Sequence, residues 1–266
     1  MSLADLSLDR WRAYDLPAAR SFAASAADAV GGRVTAVETA DHLGAPLHRV
    51  RIDRDGQEFA LIPGGRVPVG FDLDAWRPTP AQAADYAASL SQGFGYGPDL
   101  RAHLAQLLSP RRTVTLATVL MAVTDEDLTE APADLPALLA ARGLRPPTAD
   151  EWEHACGAGA ATLFRWGDDC PLDSTPYTSP DGPQRQPNAF GLRIAYDTYR
   201  SELSTDPTAV HGGDGGESEC GGYGRLLAWL PLATANRNPY TAEFLHGPEG
   251  DDLFDSMSVR PVLDLP

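Results

Sequence analysis

Apolar positions in the first thirty residues recur at helical spacing: Trp11, Leu16, Ala19, Phe22 and Ala26 share a stripe, which Pro17 divides into two pieces. The period then changes. Val34–Thr39, His48–Ile52 and Glu58–Ile62 read as strands, with Asp55-Gly56 supplying the positive φ values of a tight hairpin turn. Pro80 opens an Ala-rich helical segment that runs to Leu90, the glycines from Gly93 to Gly97 interrupt it, and Asp99–Leu108 resumes an amphipathic helix. Thr113–Val123 is rich in Val, Thr and Leu and reads as one strand. Leu135–Arg142 reads as a short helix whose left-handed cap is Gly143.

Thr148 and Glu151 have the spacing of a capping box, in which a hydroxyl and a carboxylate each satisfy an orphan amide of the first turn, so a helix starts there. Trp152 and Ala155 lie on its buried face, and the pattern turns Asp150 and Glu153 outward. From Phe164 onward Gly, Pro, Asn and Asp are dense and periodic runs are few, so turns and loop packing dominate. Leu226–Leu230 is apolar enough to be a buried strand. Mixed helix and strand signals predict an α+β chain.

Three segments in order resemble a known family. Leu144-Arg145-Pro146-Pro147-Thr148-Ala149-Asp150-Glu151-Trp152-Glu153-His154-Ala155, Phe164-Arg165-Trp166-Gly167-Asp168-Asp169 and Pro187-Asn188-Ala189-Phe190-Gly191-Leu192 are similar to motifs of the formylglycine-generating enzyme, or sulfatase-modifying factor, family. Leu61–Gly70 is similar to that family's opening strand, and Ser258–Asp264 to its closing one, so the resemblance covers roughly residues 60 to 264. It implies a C-type-lectin-like fold with little regular secondary structure for residues 60–266. Residues 1–59 would be an added helical arm and hairpin packed on that core.

The family implies a copper(I) centre held by two cysteines. Gly215-Gly216-Glu217-Ser218-Glu219-Cys220 matches the first ligand position, whereas the second, five residues on, is Arg225. A guanidinium has no lone pair to offer a metal, which argues against copper(I) here. Cys220 is the candidate catalytic residue, as a reactive thiolate beside Arg225, although Glu217 and Glu219 oppose the lowered pKa this needs. The opposing reading is a small buried hydrophobe in a glycine-rich loop. Thr198–Asp206 corresponds to a calcium segment of the family and keeps Glu202 and Asp206 but has Tyr199 in place of an asparagine. Calcium, with its demand for six or more oxygens, is the candidate cofactor on those two residues. His211 and Asp214 are a further candidate metal pair. Arg225, Tyr223, Trp229, Arg237 and Tyr240 are candidates to line a cleft, by proximity in the chain to Cys220.

Charge narrows the partner. Against 21 Lys and Arg stand 37 Asp and Glu, a net charge of -16 that repels phosphate backbones and anionic lipid. A peptide, protein or small-molecule ligand is expected, and neither nucleic acid nor membrane. The longest apolar runs fall short of the ~20 residues that span a bilayer. Met1–Arg12 has no apolar core of a signal peptide, and three cysteines do not complete a disulfide framework, so the chain reads as cytoplasmic. Two functions follow: a repurposed or non-catalytic recognition module of this family, or an oxidoreductase acting on a thiol substrate through Cys220.

Overall fold

A computed structural model of the chain describes residues 2–91, 97–129, 131–213, 215–221, 224–245, 247 and 256–266. The first two helices, α1 (Leu8–Arg12) and α2 (Leu16–Ala29), part at Ala13–Asp15, and Asp15 caps α2 by accepting from the Ala18 amide, with Pro17 inside the first turn where its missing N–H costs nothing. Trp11 is fully buried. Its indole N–H donates to the His48 carbonyl at 3.0 Å, and its ring packs edge-on against Tyr14, Phe22 and His48.

The helices lie on a long hairpin, β1 (Arg33–His42) and β2 (Ala45–Arg54), which continues through Asp55-Gly56 into β3 (Gln57–Ile62). Asp55 and Gly56 take φ of 55° and 85°, the backbone such a two-residue turn requires. β3 runs across residue 59/60 without a break, so the N-terminal strands and the following segment share one sheet. Its order is β1-β2-β3-β6-β11, with antiparallel neighbours, where β6 is Val119–Ala122 and β11 is Val262–Asp264.

The single strand expected over Thr113–Val123 is two. β5 (Arg112–Leu116) pairs with β4 (Gly65–Val69) as a separate ribbon, and β6 returns to the large sheet. The physical cause is the N-terminal segment, which wedges into the break and takes its hydrogen bonds. Leu8 donates to the Gly64 carbonyl, Gly64 to the Leu6 carbonyl, Thr118 to the Ala4 carbonyl, and the Thr118 hydroxyl accepts from Gly64. A Cβ on Gly64 would stand 2.3 Å from the Leu116 carbonyl oxygen, so only glycine permits this approach.

Helices α3 (Pro80–Leu90) and α4 (Leu100–Leu107) start at Thr79 and Asp99, and Thr79 forms a full capping box with Gln82. After β7 (Glu126–Asp127), α5 (Leu135–Ala141) ends before Gly143 at φ 68°, the left-handed position expected for it. α6 (Ala149–Gly157) has the Thr148–Glu151 capping box: the Glu151 amide donates to Thr148 at 3.1 Å and the Thr148 amide to Glu151 at 2.7 Å. Its acids are not outside. Glu151 and Glu153 are buried with Trp152 and His154, because Arg145 pairs with Glu151 and Arg237 with Glu153, while His154 Nε2 donates to the Pro63 carbonyl.

Downstream, short strands β8 (Ser201–Leu203), β9 (His211–Gly212) and β10 (Met257–Val259) join β7 in a second sheet of order β7-β10-β8-β9, with β10 and β8 parallel. α7 (Gly216–Gly221) carries Cys220. The buried strand expected from Leu226 is instead helix α8 (Arg225–Trp229), followed by a 3-10 turn, Leu230–Leu232. The Asp85 carboxylate of α3 receives the Arg225 and Leu226 amides, a cap supplied from about 140 residues away in the chain. α9 (Pro239–Leu245) is the last described helix before β10 and β11. The fold is thus α+β with mainly antiparallel sheets, and no described helix is long and apolar enough to cross a membrane.

Candidate functional site

The residues singled out in the sequence separate into three places. Cys220 stands on α7 and is exposed. Its sulfur lies 3.3 Å from the Tyr199 hydroxyl, against which Tyr177 packs edge-on. All three cysteines are free thiols, but Cys156 is buried in α6 and Cys170 is largely enclosed, and burial pushes each of those thiols up to about 12. Both therefore stay protonated and inert at neutral pH. Arg225 is exposed and occupies the first position of α8. The donors for a copper bis-thiolate do not fit, since the residue five after Cys220 is a helix start capped by Asp85 and carries no sulfur. Tyr223 and Asp214 lie outside the described residues.

Trp229 is a core residue, 0% exposed, whose indole N–H donates to the Ser174 carbonyl at 3.1 Å, so it faces no cleft. The candidate metal residues Glu202 and His211 are cross-strand partners on β8 and β9. Their side chains, however, are committed to other groups. Arg260 grips Glu202 bidentately, Nη2 to Oε1 at 2.7 Å and Nε to Oε2 at 2.9 Å, and the Trp152 indole N–H donates to the same Oε2 at 2.9 Å. A guanidinium occupies the place where a calcium ion would bind this carboxylate. The rest of Arg260 is equally used: Nη1 donates to the Ala122 and Val123 carbonyls and Nη2 to the Arg193 carbonyl. Asp125 stands 3.6 Å from it and is itself held by Arg200 and Tyr196.

His211 stacks on the Trp152 ring, centroids 4.3 Å apart, and its Nδ1 donates to the Asn236 carbonyl at 2.8 Å. That fixes the Nδ1–H tautomer and leaves Nε2 buried without a partner among the described residues. Burial drives its pKa down to about 3, so the ring is neutral. Asp206 spends Oδ1 on the amide and hydroxyl of Thr208. Among the described residues no group of three or more His, Cys, Asp or Glu is placed to hold a metal ion.

The third place was only partly legible. Arg237 and Tyr240 flank a cavity of about 370 Å³ whose walls are Gln106 and Leu108 from the end of α4, Ser109, Pro110 and Arg112, then Ala209, Arg237 and Pro239. Arg237 lines it directly. Tyr240, 58% exposed, reaches it through its hydroxyl, which donates to Gln106 Oε1 at 3.1 Å. Behind the wall sits a compact ionic cluster. Arg237 donates through Nε to Glu153 at 2.6 Å and through Nη2 to Asp150 at 2.7 Å, while Arg112 also pairs with Asp150 and Ser109 donates to Glu153 at 2.8 Å. Burial works against ionisation of Asp150, yet the hydrogen bonds and charges of Arg112 and Arg237 hold its carboxyl below the ordinary value. Periodicity alone missed Arg112, Asp150 and Glu153, since it placed the two acids in solvent. The available signal was that two carboxylates three residues apart share a helix face once arginines are brought over it.

No protein-family model and no curated protein sequence matches this chain.

Proposed function

We propose that this chain is a divergent sulfatase-modifying-factor-like recognition module with a C-type-lectin-like core, working as a binding or accessory protein without a copper bis-thiolate. The observation that carries this reading is the placement of the sulfurs. Cys220 is the lone exposed thiol, its neighbour is a tyrosine hydroxyl, and the other two cysteines are enclosed. Elsewhere on the chain a cavity is walled by arginines, an amide and a serine, which suits binding without chemistry. Three ordered motifs and a loop-rich second half support the family reading, because rigid cores that present variable loops are readily put to new binding uses.

A second reading, a thiol-directed oxidoreductase, is favoured by the solvent access of Cys220, with any second sulfur supplied by substrate or partner. Copper(I) affinity separates the two. Competition with a chromogenic chelator under reducing, anaerobic conditions is expected to show weak binding that Cys220→Ala leaves unchanged. Tight one-to-one binding abolished by that substitution would overturn the recognition reading.

A further inference from the structure

The walls of the cavity carry more hydrogen-bond donors than the protein uses. Arg112 gives Nη1 to the Ser109 hydroxyl at 3.0 Å and the Pro110 carbonyl at 3.1 Å, and Nη2 to Asp150. Its Nε–H has no hydrogen-bond acceptor among the described residues. Arg237 uses Nε and Nη2 on Glu153 and Asp150, while Nη1 has only Asp206 at 3.7 Å, beyond hydrogen-bond reach. Gln106 is engaged through its oxygen, by Tyr240, which leaves its amide N–H groups unused. Three donor groups from separate parts of the chain therefore surround one opening. Both guanidiniums are held from behind by Glu153, whose side chain is 1% exposed, and by Asp150, so a ligand need not order them.

The remaining wall is apolar: Leu108, Pro110, Ala209 and Pro239. Charge sets an upper limit on the ligand. Arg112 and Arg237 are already matched by Asp150 and Glu153, with Asp206 at the edge, so an anion is held by the directed free donors and not by net attraction, and a dianion is disfavoured more than a monoanion. Taking the recognition-module reading as its basis, we infer that this cavity binds a monocarboxylate attached to an apolar body, the carboxylate accepting from Arg237 Nη1, Arg112 Nε and the Gln106 amide while the body lies on Leu108, Pro110 and Pro239.

N-acetylleucine is the probe, titrated into the ¹⁵N-labelled full chain while the arginine Nε–H signals are followed by NMR. Saturable shifts of Arg112 and Arg237 are expected. N-acetylleucinamide, which lacks the charge, and inorganic phosphate, which carries too much, should each bind at least about tenfold more weakly, the scale of one charge-assisted hydrogen bond. Ala209→Phe fills the cavity without touching an ion pair and should abolish the shifts. Gln106→Leu, a second variant that removes no buried contact, should weaken binding several-fold. 4-Methylpentanoate distinguishes the source: equal binding means a small organic acid, and clear preference for N-acetylleucine means a peptide C-terminus. Equal response to the amide, or shifts unaffected by both variants, would overturn the assignment. Such a failure together with weak copper binding removes this ligand class alone, whereas tight copper binding through Cys220 removes the recognition reading.

Discussion

Two ionic clusters, one joined to the Trp152 indole through Glu202 and the other built on the next residue of α6, Glu153, use the same residue types to different ends. Around Glu202, Arg260 is 0% exposed and each of its nitrogens has an acceptor, either a carboxylate oxygen or a backbone carbonyl. Around Glu153, Arg112 and Arg237 are partly exposed and keep N–H groups with no hydrogen-bond acceptor among the described residues. A fully satisfied buried pair stitches together β6, β8 and β10, and it leaves nothing with which to bind a ligand. A buttressed but unsaturated pair at a cavity mouth costs less to keep and retains capacity for one. Saturation of donors, more than charge, separates a structural cluster from a candidate binding one.

The comparison is broken most directly at Arg260. Arg260→Ala leaves Glu202 buried and uncompensated, and should destabilise the chain by about 3–5 kcal/mol in urea unfolding. The double change Arg260→Met with Glu202→Leu should recover much of that loss, because it removes both charges together. A single Arg260→Ala cost of less than about 1 kcal/mol would contradict a locked centre.

Arg237→Ala should cost less, about 1–2 kcal/mol, since Ser109 and Arg112 remain beside Glu153 and the site is reached by water. The same substitution should remove N-acetylleucine binding altogether. A large stability loss with binding retained would invert the contrast between the two clusters.

The smallest effect is on pH dependence. His211 has a folded pKa of about 3 against an ordinary 6.5, so between those values the unfolded chain takes up a proton that the folded chain refuses. Stability therefore rises with pH through that window, by at most about 1.4 kcal/mol per pH unit from this ring. Buried His154, also lowered by burial, adds in the same direction. Asp150, with its depressed pKa, acts at lower pH: its contribution is complete above the ordinary carboxylate value and is lost as pH falls through the folded one. Urea midpoints of His211→Gln measured at several pH values should show a flatter slope than the parent chain. An unchanged slope would mean that burial does not hold the His211 ring neutral in the folded chain.

Local signals marked the elements whose stabilising groups lie a few residues apart. The Thr148–Glu151 box, the Asp55-Gly56 turn and the Gly143 cap were legible, because each is a contact between near neighbours or a backbone preference. The break between the N-terminal helices, by contrast, falls at Ala13–Asp15 and not at Pro17, which sits inside the first turn of α2. Thr113–Val123 and Leu226–Leu230 were misread where a distant segment intervened. In one case the N-terminal residues enter the strand at Thr118, and in the other Asp85 caps a helix in an apolar run.

The candidate site divides in the same way. Residue chemistry along the chain identified Cys220 as the lone thiol of its segment and Arg225 as no metal ligand. It marked Arg237 and Tyr240 for a cleft beside Cys220, whereas Arg237 lines a different cavity and Tyr240 meets that cavity's Gln106 through its hydroxyl. It also marked Glu202 and His211 for a metal, since a carboxylate and an imidazole announce ligand chemistry whatever surrounds them. Tertiary structure decided their use by placing Arg260 against one and Trp152 against the other. The sequence by itself determined an acidic α+β chain with its caps and turns, and the inventory of groups able to do chemistry. Which of those groups are saturated and which still face an opening depends on partners from remote segments, and only the folded chain brings these within hydrogen-bond distance.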